Sequence, residues 1–245
     1  MIQLGLLGAS GRMGQWVKRL LQTEYPDKAQ LAIAVHTEES VQPLLGTQVV
    51  IDFSSPEGMT ALAEAALAVP TDLPAFVVAS TGWTQAQRDV ILKLSELTPV
   101  VMASNLSVGV MALQEILRSA TPLLTRLGYA PVLVETHHHH KKDAPSGTAL
   151  SLLKTMQSST PLLEPVPMHS IRAGEIIGDH DVTFYGHGDH LVLGHYAQDR
   201  SIFARGAIDV ALWLYEKKLD EPRLHGLFGI EAYLKDLTSS TKVTS

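Results

Sequence analysis

Through the first hundred residues, short continuous apolar runs alternate with longer stretches of helical periodicity. Ile2–Leu7, Leu31–His36, Gln48–Phe53, Ala75–Ala79 and Val100–Ala103 read as strands buried on both faces. Between them, Arg12–Gln22, the alanine-rich Glu57–Val69 and Gln85–Glu96 read as helices. Strand–helix alternation with fully apolar strands predicts an α/β unit with a parallel sheet covered on both faces. The connection Thr37–Thr47 is short and broken by proline, so no full helix is expected between the second and third strands.

The pattern then changes. Val108–Leu127 places Val110, Leu113, Ile116, Leu117 and Leu124 at roughly helical spacing. Pro131–Thr136 reads as a strand, and Ser146–Gln157 as a helix with proline and serine at its opening. His169–Ala173, Asp181–Gly186 and Leu191–Ala197 read as strands separated by glycine-containing turns, which predicts an antiparallel or mixed sheet. Ile208–Lys217 reads as a helix, and GLFGIEAYL at 226–234 as a last short one. No repeat, low-complexity tract or long linker separates the two halves.

Composition narrows the function classes. A chain of 245 residues, 45% of them hydrophobic, can build one large domain or two small ones. A net charge of −6 argues against a nucleic-acid or membrane-surface protein, which would carry a concentrated basic face. With no cysteine, there is no disulfide framework, thiolate metal site or cysteine nucleophile. The start MIQLGLLGASG lacks the basic region of a signal peptide. No apolar run reaches the roughly 18–20 residues of a membrane span. A cytoplasmic globular protein is expected. The unusual count is eleven histidines, four of them consecutive at 137–140.

Two regions carry candidate chemistry. Gly8-Ala9-Ser10-Gly11-Arg12-Met13-Gly14 joins the first strand to the first helix. Glycines there allow a tight turn and close backbone approach, and the helix N-terminus favours a pyrophosphate. The alternative is an ordinary strand–helix turn. Most dinucleotide folds end the second strand on a carboxylate that binds ribose hydroxyls. Here His36-Thr37 stands at that point, followed by Glu38 and Glu39, with no arginine to meet a 2′-phosphate. NADH versus NADPH is therefore open. Ala79-Ser80-Thr81-Gly82-Trp83 and Ala103-Ser104-Asn105-Leu106-Ser107 follow two further strands and extend the same groove.

The second region runs from Glu135 to Thr148 and contains His137, His138, His139, His140, Lys141 and Lys142. It is internal, so it is not a terminal purification tag. Adjacent imidazoles on an extended chain point to alternate sides, so four cannot converge on one ion. His137 and His139 share a face, without a good third ligand, and no metal is expected. The remaining reading is a basic pocket for an anionic substrate. Histidine exchanges protons near neutral pH, lysine supplies a cation, and Ser-Gly-Thr at a helix start offers N–H groups.

The stretch ETHHHHKKDAPSGTAL closely resembles the signature of the 4-hydroxy-tetrahydrodipicolinate reductase (dihydrodipicolinate reductase) family. GASGRMG, DFSSPEG, STGW, SNLSVGV, IRAGEIIGDH, FARGAIDVALWL and the late GLF extend the resemblance over nearly the whole chain. The resemblance implies NADH- or NADPH-dependent reduction of a cyclic dicarboxylate in lysine and diaminopimelate biosynthesis. It implies His137 and Lys141 in proton transfer, and His138, Gly147 and Thr148 on the substrate. Gly8, Ala9, Ser10, Gly11, Arg12 and Met13 would hold the pyrophosphate. Ala79–Thr81 and Ala103–Leu106 would line the nicotinamide and its ribose.

A Rossmann-like cofactor domain over 1–107 and 206–245 would enclose an α+β substrate domain over 108–205, with crossings near Ser107 and Arg205. Family members are commonly homotetramers built through the substrate-domain sheets. The chain departs from the family in the missing acidic residue after the second strand and in a short segment between Met156 and His169. His139 and His140 receive no role. The alternatives are another NAD(P)-dependent reductase of a small dicarboxylate, a non-catalytic nucleotide-sensing module, and a metal-dependent hydrolase.

Overall fold

The computed structural model of the chain describes residues 1–36, 39–161 and 164–239. It separates into two compact units, residues 1–106 with the segment from 201 onward, and residues 107–200.

In the first unit, strands β1 (Ile2–Leu7), β2 (Ala29–Val35), β3 (Val49–Asp52), β4 (Ala75–Val78) and β5 (Pro99–Met102) alternate with α1 (Arg12–Thr23), α2 (Pro56–Ala68) and α3 (Gln85–Ser95). Helix starts follow local chemistry. Ser55 caps α2 ahead of Pro56, and Thr84 and Gln87 form a reciprocal capping box on α3. Between β2 and β3 there is a single 3₁₀ turn at Gln42–Gly46, as the short connection requires.

After the second unit, the chain adds α6 (Ser201–Asp220), β10 (Gly226–Phe228) and α7 (Ile230–Ser239). Helix α6 packs on α1, β3 and β4, and the Tyr25 hydroxyl donates to Asp209 at 2.7 Å. The sheet order is β10-β5-β4-β3-β1-β2, all parallel. Strand order reverses between β1 and β3, the place where ligands bind in open α/β sheets. Leu4, Leu6, Ile51, Leu62, Phe76 and Leu94 are fully buried around it.

One expectation is corrected here. GLFGIEAYL is not one helix: Gly226–Phe228 pairs with β5 as a sixth strand, and only Ile230 onward is helical. Gly226 at φ 133° and Gly229 bracket a short apolar pair that completes the sheet edge.

The second unit comprises α4 (Val108–Arg126), β6 (Ala130–His137), α5 (Gly147–Ser159), β7 (Met168–Arg172), β8 (Asp179–Tyr185) and β9 (His190–Tyr196). Its sheet, ordered β7-β6-β8-β9, is mixed: β6 runs parallel to β7 and antiparallel to β8, and β8 runs antiparallel to β9. Leu133, Val182 and Phe184 from the sheet meet Leu113, Leu117 and Leu152 from α4 and α5. Along β6, Pro131, Leu133, Glu135 and His137 are buried while their neighbours are partly exposed. The two-residue period thus puts a carboxylate and an imidazole on the apolar face. Among the described residues, no helix is long and apolar enough to cross a membrane.

Candidate active site

In the first unit the glycine turn is a close fit. Gly8 has φ 85°, and a Cβ there would lie 2.6 Å from the Phe53 carbonyl oxygen. A Cβ on Gly14 would lie 2.4 Å from the carbonyl of Gly8, so α1 rests directly on the turn. The N–H groups of Gly8 and Ala9 donate to Val35 O at 3.2 and 3.1 Å. These two residues therefore shape the turn. The anion-binding character falls to the first turn of α1, which begins with Arg12 and Met13 and has no side-chain cap at Gly11.

A cavity of about 530 Å³ is lined by Gly8, Ser10 and Gly11, by His36 and Glu39 beyond β2, and by Ser54 and Ser55 beyond β3. A second, of about 600 Å³, is lined by Ser80, Thr81, Trp83, Ala103, Ser104 and Phe228, among others. A phosphate suits the first, beside an uncapped helix end, and a flat ring suits the second, beside Trp83 and Phe228. Of the residues expected here, Ala9, Arg12, Met13, Ala79, Asn105 and Leu106 line neither cavity.

Two carboxylates in this unit escape sequence reading. Asp52 ends β3 fully buried, and it accepts from the Ser54 N–H at 2.8 Å and from the Ser54 and Ser80 hydroxyls. It thereby ties a residue of the first cavity to a residue of the second. Burial pushes its carboxyl above the ordinary carboxylate range, against the hydrogen bonds from the two serines. Glu39 corrects the reading that no carboxylate reaches the end of the second strand: its Oε2 accepts from the His36 N–H at 2.7 Å. Thr37 and Glu38 lie outside the described residues.

In the second unit the site is built around His137. Its Nδ1 meets Glu135 Oε2, two residues back on the same face of β6. Glu135 is held by a two-pronged guanidinium: Arg172 Nη2 donates to Oε1 at 2.8 Å and Nη1 to Oε2 at 3.1 Å. The Ser146 N–H adds a bond to Oε1 at 3.3 Å. Ser146 also caps α5 by accepting from the Ala149 N–H, and its hydroxyl meets His180 Nε2 at 3.2 Å. His180 packs edge-on against the His137 ring at 5.2 Å. A side chain at Gly178 would lie 2.9 Å from His137 Nε2, so a glycine leaves that end of the ring room.

Of the expected residues, His137 is buried. His138 is partly exposed; its N–H donates to Ile176 O at 2.6 Å, and its buried Nδ1 has no partner. Gly147 and Thr148 open α5, next to Ser146. Lys141 is ion-paired with Asp143 at 2.9 Å. His139 and His140 are exposed, and their rings lie 4.0 Å apart.

His139, which sequence spacing paired with His137, lies in an exposed group with His140 and Glu175, while Glu135, His137 and His180 bring ligand atoms within 4.8 Å of one another. Arg172 nevertheless engages both oxygens of Glu135, and Ser146 engages His180 Nε2. The cluster is a hydrogen-bonded support for an imidazole. Its buried His180 Nδ1 and His138 Nδ1 lack partners, as do Arg172 Nε and His195 Nδ1 in the same unit. Unpaired buried polar atoms of this kind suit a polar ligand.

Electrostatics follow from burial. For Glu135, burial raises the pKa, but hydrogen bonds from Arg172, Ser170 and His137 outweigh it and hold the carboxyl at about 2. Burial lowers His137 below the ordinary imidazole range, opposed by Glu135. His180 is lowered to about 4 by burial and by the neighbouring His137. Because the unfolded chain takes up protons at His180 before the folded chain does, this group's contribution is complete above the unfolded value. It is lost as pH falls from about 6.5 towards 4. Denaturant midpoints of the wild type should decline across that window, and His180→Gln should flatten the decline. Equal slopes in the two proteins would contradict the assignment.

The clamp on His137 was missed by sequence reading because Arg172 and His180 lie 35 and more residues along the chain from it. The available signal was the parity of Glu135 and His137 on a strand.

Comparison with known proteins matches the same two halves. The family described as "Dihydrodipicolinate reductase, N-terminus" matches residues 2–106, and "Dihydrodipicolinate reductase, C-terminus" matches residues 109–234. A 4-hydroxy-tetrahydrodipicolinate reductase of Campylobacter jejuni is 32% identical over 249 residues, covering 94% of this chain and 100% of the relative. One from Helicobacter pylori is 33% identical over 260 residues, covering 93% and 100%. Among solved structures, a dipicolinate-bound dihydrodipicolinate reductase from Paenisporosarcina sp. TG-14 shares the fold at a TM-score of 0.72. Its sequence identity is 19%, over 95% of this chain and 99% of that one. With both halves of the sequence matched and relatives aligned over nearly their full length, the chain belongs to the dihydrodipicolinate reductase family.

Proposed function

We propose that this protein reduces 4-hydroxy-tetrahydrodipicolinate to tetrahydrodipicolinate in lysine and diaminopimelate biosynthesis. One substrate, one NADH or NADPH and one proton give the product, water and the oxidised nucleotide. The observation that carries the site assignment is the buried His137, held through Nδ1 by the Glu135–Arg172 pair. Loss of water conjugates the imine with a ring double bond. The nucleotide would supply a hydride to the electron-poor ring carbon, and the enamine so formed takes up the proton that completes the product.

With Nδ1 committed to a carboxylate, His137 exchanges that proton through Nε2. Lys141 is the second proton-transfer group and must leave Asp143 to act. His138 and the α5 N-terminus at Gly147 and Thr148 hold a substrate carboxylate. Bound dicarboxylate favours the protonated imidazole and offsets the burial that lowers His137. The first unit is the dinucleotide-binding domain, and the second is the substrate and oligomerisation domain.

A cytoplasmic location accords with the need for reduced nicotinamide nucleotide. A homotetramer accords with the exposed Ile171, Tyr185, Leu191, Val192 and Tyr196 on the second unit's sheet. The test is nucleotide oxidation, followed by absorbance, with the condensation product of pyruvate and aspartate semialdehyde. Oxidation is expected only when that product is present. Folded protein that binds nucleotide but never oxidises it would instead mark a sensing module.

A further inference from the structure

We propose that His139, His140 and Glu175 form a binding site for one divalent transition-metal ion of the zinc class, outside the residues assigned to substrate and nucleotide. A histidine run cannot converge on an ion while the chain is extended, because adjacent rings then point to opposite sides. Strand β6 ends at His137, and residues 139 and 140 lie in the turn that follows. The Lys141 N–H closes that turn by donating to His138 O at 3.1 Å. The turn brings the His139 and His140 rings to 4.0 Å, centre to centre.

The third ligand arrives from a second turn. The His138 N–H donates to Ile176 O at 2.6 Å and the His139 N–H to Gly174 O at 3.3 Å, so the backbone on both sides of Glu175 is bound to the histidine turn. One ligand atom from each of His139, His140 and Glu175 then lies within 4.8 Å of the others. A tetrahedral ion with bonds of roughly 2.0–2.1 Å needs them about 3.3 Å apart. All three side chains are exposed, and rotation about their own torsions closes that gap. His139 Nδ1 also bonds Gly174 O at 2.9 Å. A carbonyl only accepts, so Nδ1 carries the proton and Nε2 keeps its lone pair for a ligand bond. A ring nitrogen committed to a backbone carbonyl is the usual support of a metal-ligating imidazole. Two imidazoles and a carboxylate suit zinc or nickel rather than magnesium, and leave a fourth position for water. The Glu135–His137–His180 cluster has no such freedom, since Arg172 and Ser146 engage its ligand atoms.

The test is calorimetric titration of zinc chloride into untagged, chelator-treated full-length protein at about pH 7.5, without substrate or nucleotide. One ion per chain is expected to bind in the micromolar range, and magnesium chloride should give no binding heat. His139→Ala, His140→Ala and Glu175→Gln should each weaken zinc at least about tenfold. The three side chains are exposed, so these variants should fold as the wild type does. Glu175→Gln discriminates most sharply, because a histidine run that binds metal as a loose chain needs no carboxylate from another turn. Unchanged affinity in that variant, or no zinc binding by the wild type, would overturn the inference. So would one equivalent bound undiminished by a His139→Ala, His140→Ala double variant, which would place the ion elsewhere. Binding is read without turnover, so the outcome is separate from the reductase reading.

Discussion

His137→Ala is expected to lower kcat by about 10²–10⁴-fold, the usual worth of a positioned acid or base, with little change in nucleotide affinity. The ring is not a loose side chain that water could replace. Its Nδ1 is tied to a fully buried carboxylate, and His180 packs against its edge. The Nδ1–H tautomer is therefore favoured, leaving Nε2 as the only nitrogen that can exchange a proton with substrate. His138→Ala should instead raise KM chiefly, because that residue is assigned to hold a carboxylate throughout the reaction. Lys141→Ala should lower kcat as His137→Ala does. His137→Gln separates chemistry from packing, since it keeps a polar side chain beside Glu135 while removing the titratable ring. Steady-state kcat and KM for the four variants decide the matter. A near-normal kcat in both His137 variants, with folded protein, would remove the residue from the mechanism.

What the sequence revealed and what it hid have physical reasons. Ile2–Leu7 and Ala75–Val78 were legible because strands covered on both faces must be apolar throughout. The alternation expected along the histidine run fails beyond His137: β6 ends there, so His137 is buried while His139, expected on the same face, is exposed in the turn that follows. Asp52 was hidden because it closes an apolar run as its one charged residue, and its partner Ser80 lies 28 residues on. Glu39 was hidden because strand-end rules count residues along the chain, whereas a turn at His36 folds the carboxylate back. The sixth strand was hidden because a two-residue apolar pair between glycines has no period to detect, and only the open edge of β5 makes it a strand. Local pattern thus carried the elements, the imidazole and the parity of Glu135 with it, while Arg172 and His180, which complete its support, come from long-range pairing of β6 with β7 and β8.

Arg172→Met is expected to destabilise the protein by about 3 kcal/mol, and to do so more than removal of the whole pair. Glu135 is fully buried, and Arg172 supplies two of its hydrogen bonds and its only fixed positive partner among them. Taking away the guanidinium strands a charge in the interior. The Arg172 side chain is 19% exposed, so water softens the loss and the lower end of the buried-pair range applies. Glu135→Gln combined with Arg172→Met leaves no buried charge and should recover part of the stability, a positive coupling in a double-mutant cycle.

The acid limb gives an independent sign. Glu135 is held at about 2, below its unfolded value, so its contribution is complete above about pH 4.5 and is lost as pH falls towards 2. In Arg172→Met the carboxyl loses the largest of the groups that lower it, and burial, opposed only by Ser170 and His137, pushes it upward. That variant should therefore lose less stability on acidification than the wild type, although it starts from a lower value. Urea denaturation at about pH 7 and about pH 3.5 measures both effects. If Arg172→Met matched the wild type at neutral pH, the clamp on His137 would be a surface contact, and His137 would have to be oriented by its strand and by His180 alone.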